Sequence, residues 1–308
     1  MDFGPHLMLA ILEGAVLASV LALMASGLSL VFGVMRVVNI AHGEFYMLGA
    51  VLAWWVASFV GGAAVLGFIM ALIIAPIIVG LIAAAADMTV LKYLKYDPER
   101  TIVATIGLLY IIQQVTLMTY GPDARPVIAP FNTRLALPWF EFVEGKFQMF
   151  WPWGLSITSY KLFVIVAAVV VLLGIWAMMT KSRIGLLMRA TQLDSETAQA
   201  FGIPVERVYA LVFGIGAALA ALAGVLIVPI QQAHYLMGGD ALLLSFIVVI
   251  IGGLGSLSGT LIAAVLIGMS DGIISVFFSP TLAKIIATLL VAFVLVFRPQ
   301  GLMGKTNR

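Results

Sequence analysis

The chain has no cysteine in 308 residues, and its three histidines, His6, His42 and His234, are scattered. The first absence excludes disulfides, thiolate metal ligation and thiol chemistry. The second leaves no histidine cluster at metal-site spacing, so no metal site is expected. Charge is also scarce: 10% of residues are Asp, Glu, Lys or Arg, against about 25% in an ordinary soluble domain. Sixteen basic and 14 acidic residues are too few to wet the surface of a globule this long. A net charge of +2 with no basic stripe argues against a nucleic-acid partner. There is no H-E-x-x-H, no G-x-S-x-G and no carboxylate pair at a useful spacing, so nothing points to an enzyme. The first residues, MDFGPHLMLAILEG, lack a basic n-region and an A-x-A-type cleavage site, so the first apolar run is expected to stay as a membrane helix.

What is present is apolar. The composition is 63% hydrophobic and the mean hydropathy is +1.16, which reads as an all-α, polytopic helical membrane protein in contact with lipid. A spanning helix needs about 20 largely apolar residues. Runs that qualify or nearly qualify fall at 8–33, 40–60, 63–86, 101–120, 159–179, 208–230, 241–254, 260–279 and 282–297. Residues 241–279 read either as one broken helix or as two short ones, divided at GGLGSLSG (252–259), so the expected number is eight or nine. No linker or low-complexity tail divides the chain, and residues 1–308 are expected to form a single integral membrane domain.

Basic residues orient it. Arg36 follows the first run, Lys92, Lys95 and Arg100 lie between the third and fourth, and Lys181, Arg183, Arg189 and Arg207 between the fifth and sixth. These place the N-terminus outside and the segments 87–100 and 180–207 in the cytoplasm. Arg298, Lys305 and Arg308 put the tail inside as well, which favours nine crossings. The external loop, 121–158, carries Pro122, Pro126, Pro130, Pro138 and Pro152 with Trp139, Phe140, Trp151 and Trp153. It reads as an interfacial aromatic belt or as a docking surface for a partner. A short internal echo, AHGEFYMLGA from Ala41 and AHYLMGGDAL from Ala233, has the sense of an inverted repeat, a feature of many transport folds.

Three stretches carry chemistry. In VMRVVNIAHGEFY, polar residues interrupt an apolar run. Continuous helix would put Asn39, His42, Gly43 and Tyr46 on one face, with Glu44 on another. Ionisable groups at membrane depth face a bundle interior or a wet cavity. Asn39, His42 and Glu44 are therefore either stations on a solute pathway or helix-start caps bonded to a neighbour, with Arg36 as an anchor at the cytoplasmic end. In GGLGSLSG, Gly252, Gly253 and Gly255 suit either tight helix packing or an open break lining a pathway. The third stretch, about residues 181–207, spends nearly thirty residues on what a loop of ~5 would reconnect. Thr191 followed by Asp194 fits a capping box, so a short helix is expected to run to Phe201. Gly202 then fits the left-handed closing position, and Pro204 blocks continuation. The tail PQGLMGKT ends like a phosphate-binding loop, but Pro299 stands where that motif needs glycine.

The order Glu196-Thr197-Ala198-x-x-x-Gly202 resembles the E-A-A-x-x-x-G coupling loop of ABC importer permeases, with Thr197 where the pattern often has Ala. Together with GLSLVFGVMRVVNIAHGEFYMLGA, RATQLDSETAQAFGI, FGIGAALAALAGVL, GGLGSLSGTLIAAVLIG and FRPQGL, in that order from about Leu12 to Leu302, the chain is similar to H-type permeases of high-affinity branched-chain amino-acid importers. The resemblance implies a multi-pass protein of the bacterial inner membrane that forms half of a translocation pathway. It implies a second permease subunit, two cytoplasmic ATP-binding subunits and a periplasmic solute-binding protein as partners. It implies no cofactor in this chain, with ATP hydrolysed by the partners. It assigns Asp194, Glu196, Ala198 and Gly202 to ATPase coupling: Gly202 to make the turn, Ala198 to permit close approach and the acidic pair to meet the ATPase. The alternative is a stand-alone secondary transporter or channel. For that reading Glu13 and Asp271 are the intramembrane carboxylates available for ion coupling, and the capped loop has no role.

Overall fold

The computed structural model describes residues 3–61, 64–136, 139–143, 146–150, 156–298 and 300–303. Helices dominate: α1 Phe3–Met35, α2 His42–Val60, α3 Ala64–Thr89, α4 Pro98–Tyr120, α5 Ser159–Lys181, α6 Arg183–Leu193, α7 Ser195–Ala200, α8 Val205–Ile227, α9 Met237–Gly252, α10 Leu257–Phe277 and α11 Pro280–Phe297. Among the described residues seven of these are long and apolar enough to cross a membrane, and α9 and α11 are shorter apolar helices. Residues 241–279 are thus two helices, the division that the tail's charge favoured.

Helix α8 is the centre, with 78% of its apolar window buried. Its small residues explain this. Gly224 lies so close to the Tyr46 carbonyl of α2 that a side chain there has no room, and Gly214 meets Gly80 of α3 in the same way. In hydrocarbon such close backbone approach, not expulsion of water, drives helix association. Helix α10 runs antiparallel along α1, with Gly268 and Gly272 against Ala18 and Gly14 at one end and Gly255 against Gly33 at the other. The lipid-type surface lies elsewhere, on α3, α4, α5 and α11, where Ile73, Leu81, Val103, Val170 and Phe293 are exposed.

Segment 121–158, expected as an external loop, carries short strands. It holds two antiparallel ladders, β1 (Arg134–Ala136) with β4 (Ser156–Thr158), and β2 (Trp139–Val143) with β3 (Lys146–Phe150). The β2–β3 register sets Trp139 opposite Phe150 and Phe142 opposite Phe147. Strands this rich in aromatic residues fit a pleated ribbon. Whether those aromatics form a belt lies outside what is described, as do Pro138, Trp151, Pro152 and Trp153. The segment is tied down at Arg125, which exchanges two 2.9 Å backbone hydrogen bonds with Ala233. The Arg125 guanidinium also lies over Trp54 and Tyr120, at 4.4 and 4.7 Å from the ring centres.

Candidate functional site

The segment between α5 and α8 is a chain of local caps. Ser182 Oγ accepts from the Gly185 amide at 3.0 Å and starts α6. Asp194 is extended and starts α7: its Oδ1 accepts from the amides of Glu196 and Thr197, each at 3.0 Å, and its Oδ2 from the Thr197 hydroxyl at 2.6 Å. Helix α7 closes when the Gly202 amide bonds Gln199 O at 2.9 Å and the Ile203 amide bonds Ala198 O at 3.1 Å. That is the paired closure of a left-handed terminus, and Gly202 has φ +84°. The Thr197 hydroxyl first, then the Thr197 and Glu196 amides, hold the Asp194 carboxyl below the ordinary carboxylate range.

The structure has Gly202 in the closing position and corrects one expectation of this segment. The cap is Asp194, not Thr191. Thr191 lies buried inside α6, because the helix begun at Ser182 runs without interruption to Leu193. Ala198 is 5% exposed and packs inward, so its small side chain seats α7 on its own chain. Asp194 and Glu196 are both exposed, and the Asp194 carboxylate also serves as the cap. Two residues that sequence reasoning missed stand beside it: Leu193 is 72% and Phe201 85% exposed. Their signal was an apolar residue on either side of a capped polar helix. Next to this knob, Arg36, Lys92, Lys95, Glu196 and Glu206 line a polar recess of about 620 Å³.

The interior segment follows α1. Helix α1 ends at Met35, and Arg36 turns the chain with φ +57°. Residues 36–41 are not helical, so Asn39 shares no helix face with His42, contrary to expectation. Instead Asn39 Oδ1 accepts from the Ala41 amide at 3.1 Å, and the Ile40 amide donates to Thr105 Oγ1 of α4 at 3.3 Å. His42 Nε2 faces the Met24 carbonyl at 3.0 Å, so it carries the proton and Nδ1 is the free acceptor. Met24 is 11 residues before the end of α1, about 16 Å along its axis. Helix α2 therefore begins deep in the bundle. Asn39, His42 and Glu44 are all buried, at 2% exposure or less. His42 Nδ1 and Glu44 Oε2 have no hydrogen-bond partner among the described residues. The echo sequences meet here: Gly43 near the start of α2 and Gly238 near the start of α9 touch backbone to backbone.

Gly252, Gly253 and Gly255 do not join that segment. Gly252 packs on Gly259, Gly253 on Gly301, and Gly255 on Gly33 of α1. With φ of +101° and +78°, Gly253 and Gly255 make the tight turn from α9 to α10. The Leu302 amide bonds Ile251 O at 2.7 Å and the Met303 amide bonds Gly252 O at 3.1 Å. This is the packing alternative. The G-K-T of the tail follows helix α11 where a phosphate loop needs a strand. Sequence reasoning also missed Asp87, buried in the last turn of α3 and accepting from the Tyr96 hydroxyl at 3.3 Å.

A model of the permease component of branched-chain amino acid transport systems matches residues 10–295. The chain is 28% identical to the high-affinity branched-chain amino acid transport system permease protein LivH of Escherichia coli, over 95% of this chain and 94% of that one. It is 27% identical to the corresponding permease BraD of Pseudomonas aeruginosa, over 97% and 96%. It is 25% identical to the E. coli permease LivM, over 95% of this chain and 70% of LivM. With its bundle of membrane-length helices and its capped elbow, the chain belongs to the permease component family of branched-chain amino acid transport systems.

Proposed function

We propose that the chain is one of two membrane subunits of an ATP-driven importer of branched-chain amino acids, working as a single permease domain in the bacterial inner membrane. The carrying observation is the elbow. A helix of 6 residues, capped by Asp194 and closed at Gly202, presents Leu193, Glu196 and Phe201 to solvent while Ala198 holds it to the bundle. That shape suits a groove on a cytoplasmic ATPase, with aromatic and aliphatic anchors at the centre of the contact. The relatives support the solute and the partners. E. coli has both a LivH and a LivM that this chain resembles, which favours a pair of unlike permeases over a homodimer. Two ATP-binding subunits and a periplasmic binding protein complete the assembly, and the partners hydrolyse the ATP. The basic residues favour an external N-terminus and a cytoplasmic tail.

The interior segment supplies the means of coupling. Arg36 Nη2 donates to the Gln192 carbonyl at 3.5 Å, a long contact between the elbow and the turn that leads to Asn39, His42 and Glu44. A motion of α7 on ATP closure reaches the buried polar segment through that turn. A nucleotide state biases the pathway only by its different affinity for the two arrangements.

The test is purification of the chain from its native membrane in mild detergent, followed by reconstitution. Recovery of ATPase subunits and a second permease, with ATP-dependent leucine uptake when the binding protein is added, is the expected result. Recovery of this chain alone with ATP-independent uptake would overturn the proposal in favour of a secondary transporter.

A further inference from the structure

A second polar feature lies at the end of the bundle opposite the elbow. A cavity of about 400 Å³ opens between α1, α2, α8, α9, α10 and α11, within the size range of small-molecule sites, about 300–1,000 Å³. Glu13, which lines it, is 22 residues from Met35, about 33 Å along α1 from the elbow end. Its charged lining is Glu13, Asp240, Asp271 and Lys284. Glu13 is paired with Lys161 of α5, and Asp240 with Lys284 at 2.6 Å. Asp271 has no cation of its own among the described residues. Its carboxylate accepts the Ser275 hydroxyl at 3.4 Å, the weak end of hydrogen-bond geometry. A half-buried carboxylate in an apolar helix is costly unless a cation meets it.

Apart from Tyr46, Gln231 and Ser275 the rest of the lining is apolar, with Val20, Leu21, Met24 and Leu244. Met24 and Tyr46 line the cavity, and the Met24 carbonyl holds His42. The floor of the cavity is therefore the roof of the interior polar segment. Lys284 is about half exposed and its Asp240 partner more so. Such a solvated pair is weak, so Lys284 can share its charge with an arriving anion.

We propose that this cavity is a solute site on the permease itself: a branched-chain α-amino acid places its ammonium on Asp271, its carboxylate toward Lys284 and its side chain along Val20, Leu21, Met24 and Leu244. The site rests on the importer reading for the identity of the solute, while the charge argument is independent of it. It places a binding step between the delivery protein and the His42 segment.

The experiment is equilibrium dialysis of radiolabelled leucine against the purified transporter complex, with no binding protein present. Saturable binding is expected. 3-Methylbutylamine, which keeps the ammonium, competes, and 4-methylpentanoate, which lacks it, does not. Asp271→Asn weakens leucine binding about 10- to 100-fold, the worth of a charge-assisted hydrogen bond, with ATPase subunits still bound. The two competitors test the site in the unaltered protein should that variant be lost. Equal binding by wild type and D271N, competition by 4-methylpentanoate as strong as by leucine, or no saturable binding in a complex that imports leucine overturns the site and leaves the importer standing. Binding through Asp271 in a preparation with no ATPase subunits and ATP-independent uptake overturns the importer and leaves the site.

Discussion

The elbow at 182–204 and the interior segment at 36–44 both turn the chain between helices, and both place a residue in the left-handed region, Gly202 at φ +84° and Arg36 at φ +57°. They differ in what closes them. The bonds that cap and close the elbow each span a few residues: Ser182 to Gly185, Asp194 to Thr197, Ile203 to Ala198. The interior segment is held from afar, by Met24 on α1, Thr105 on α4 and Gln192 on α6. The elbow can keep its shape while the bundle rearranges. The interior segment cannot, because its partners are the bundle. One is built to transmit force and the other to change with it.

The comparison can be broken in order of expected effect. Gly224→Leu strikes what both regions rest on, since its side chain would meet the Tyr46 carbonyl in the α2–α8 contact. Overpacking of this kind costs about 3 kcal/mol or more, and loss of the monodisperse peak in detergent gel filtration is expected. Gly202→Val comes next. Its surroundings are open, so the damage is backbone strain of about 1–3 kcal/mol. Insertion should survive while ATPase co-purification and uptake fall about tenfold or more. Normal co-purification would contradict the elbow's role. His42→Ala should do the reverse. It removes the hydrogen bond to the Met24 carbonyl, worth about 0.5–1.5 kcal/mol, and should lower uptake with the ATPase still bound; unchanged uptake would remove the interior segment from the pathway.

Smaller effects sharpen the contrast. Because the Asp194 pKa is lowered on folding, its contribution is complete above the ordinary carboxylate value and is lost as pH falls through the lowered one. ATPase association should therefore be flat from neutral pH down to about 5 and weaken only in stronger acid. A loss centred near neutrality would point to another group. Thr197→Ala removes the 2.6 Å bond to Asp194 but keeps both amide bonds to the cap. Uptake should stay at the wild-type level, and a clear loss would mean that the hydroxyl does more than brace the cap.

This difference in bond range also decided what the sequence could reveal. The apolar runs located the apolar helices among the described residues because a membrane helix needs little beyond its own composition. The closing Gly202 and the capped helix were legible because caps act within one turn. Thr191 misled because a second helix, begun at Ser182, already contained it. Asn39 and His42 were seen to matter, but their assignment to one helix face failed. The break at Arg36 is set by a neighbouring carbonyl and a threonine on another helix, which no local pattern announces. Asp87 needed the turn after α3 that brings Tyr96 back to it, and the cavity around Asp271 needed the packed structure, since its walls come from distant parts of the chain.

The bonds from Leu302 and Met303 to Ile251 and Gly252 carry a consequence for biogenesis. The last carbonyls of a helix need donors, and lipid provides none. The two that end α9 find theirs in residues made about fifty positions later, after α10 and α11 have passed into the membrane. Until then that end of α9 must stay near water, and the α9–α10 hairpin has no settled depth. The ribosome therefore delivers the final strap after the parcel it closes, and the order of synthesis becomes the order in which this half of the bundle is fastened.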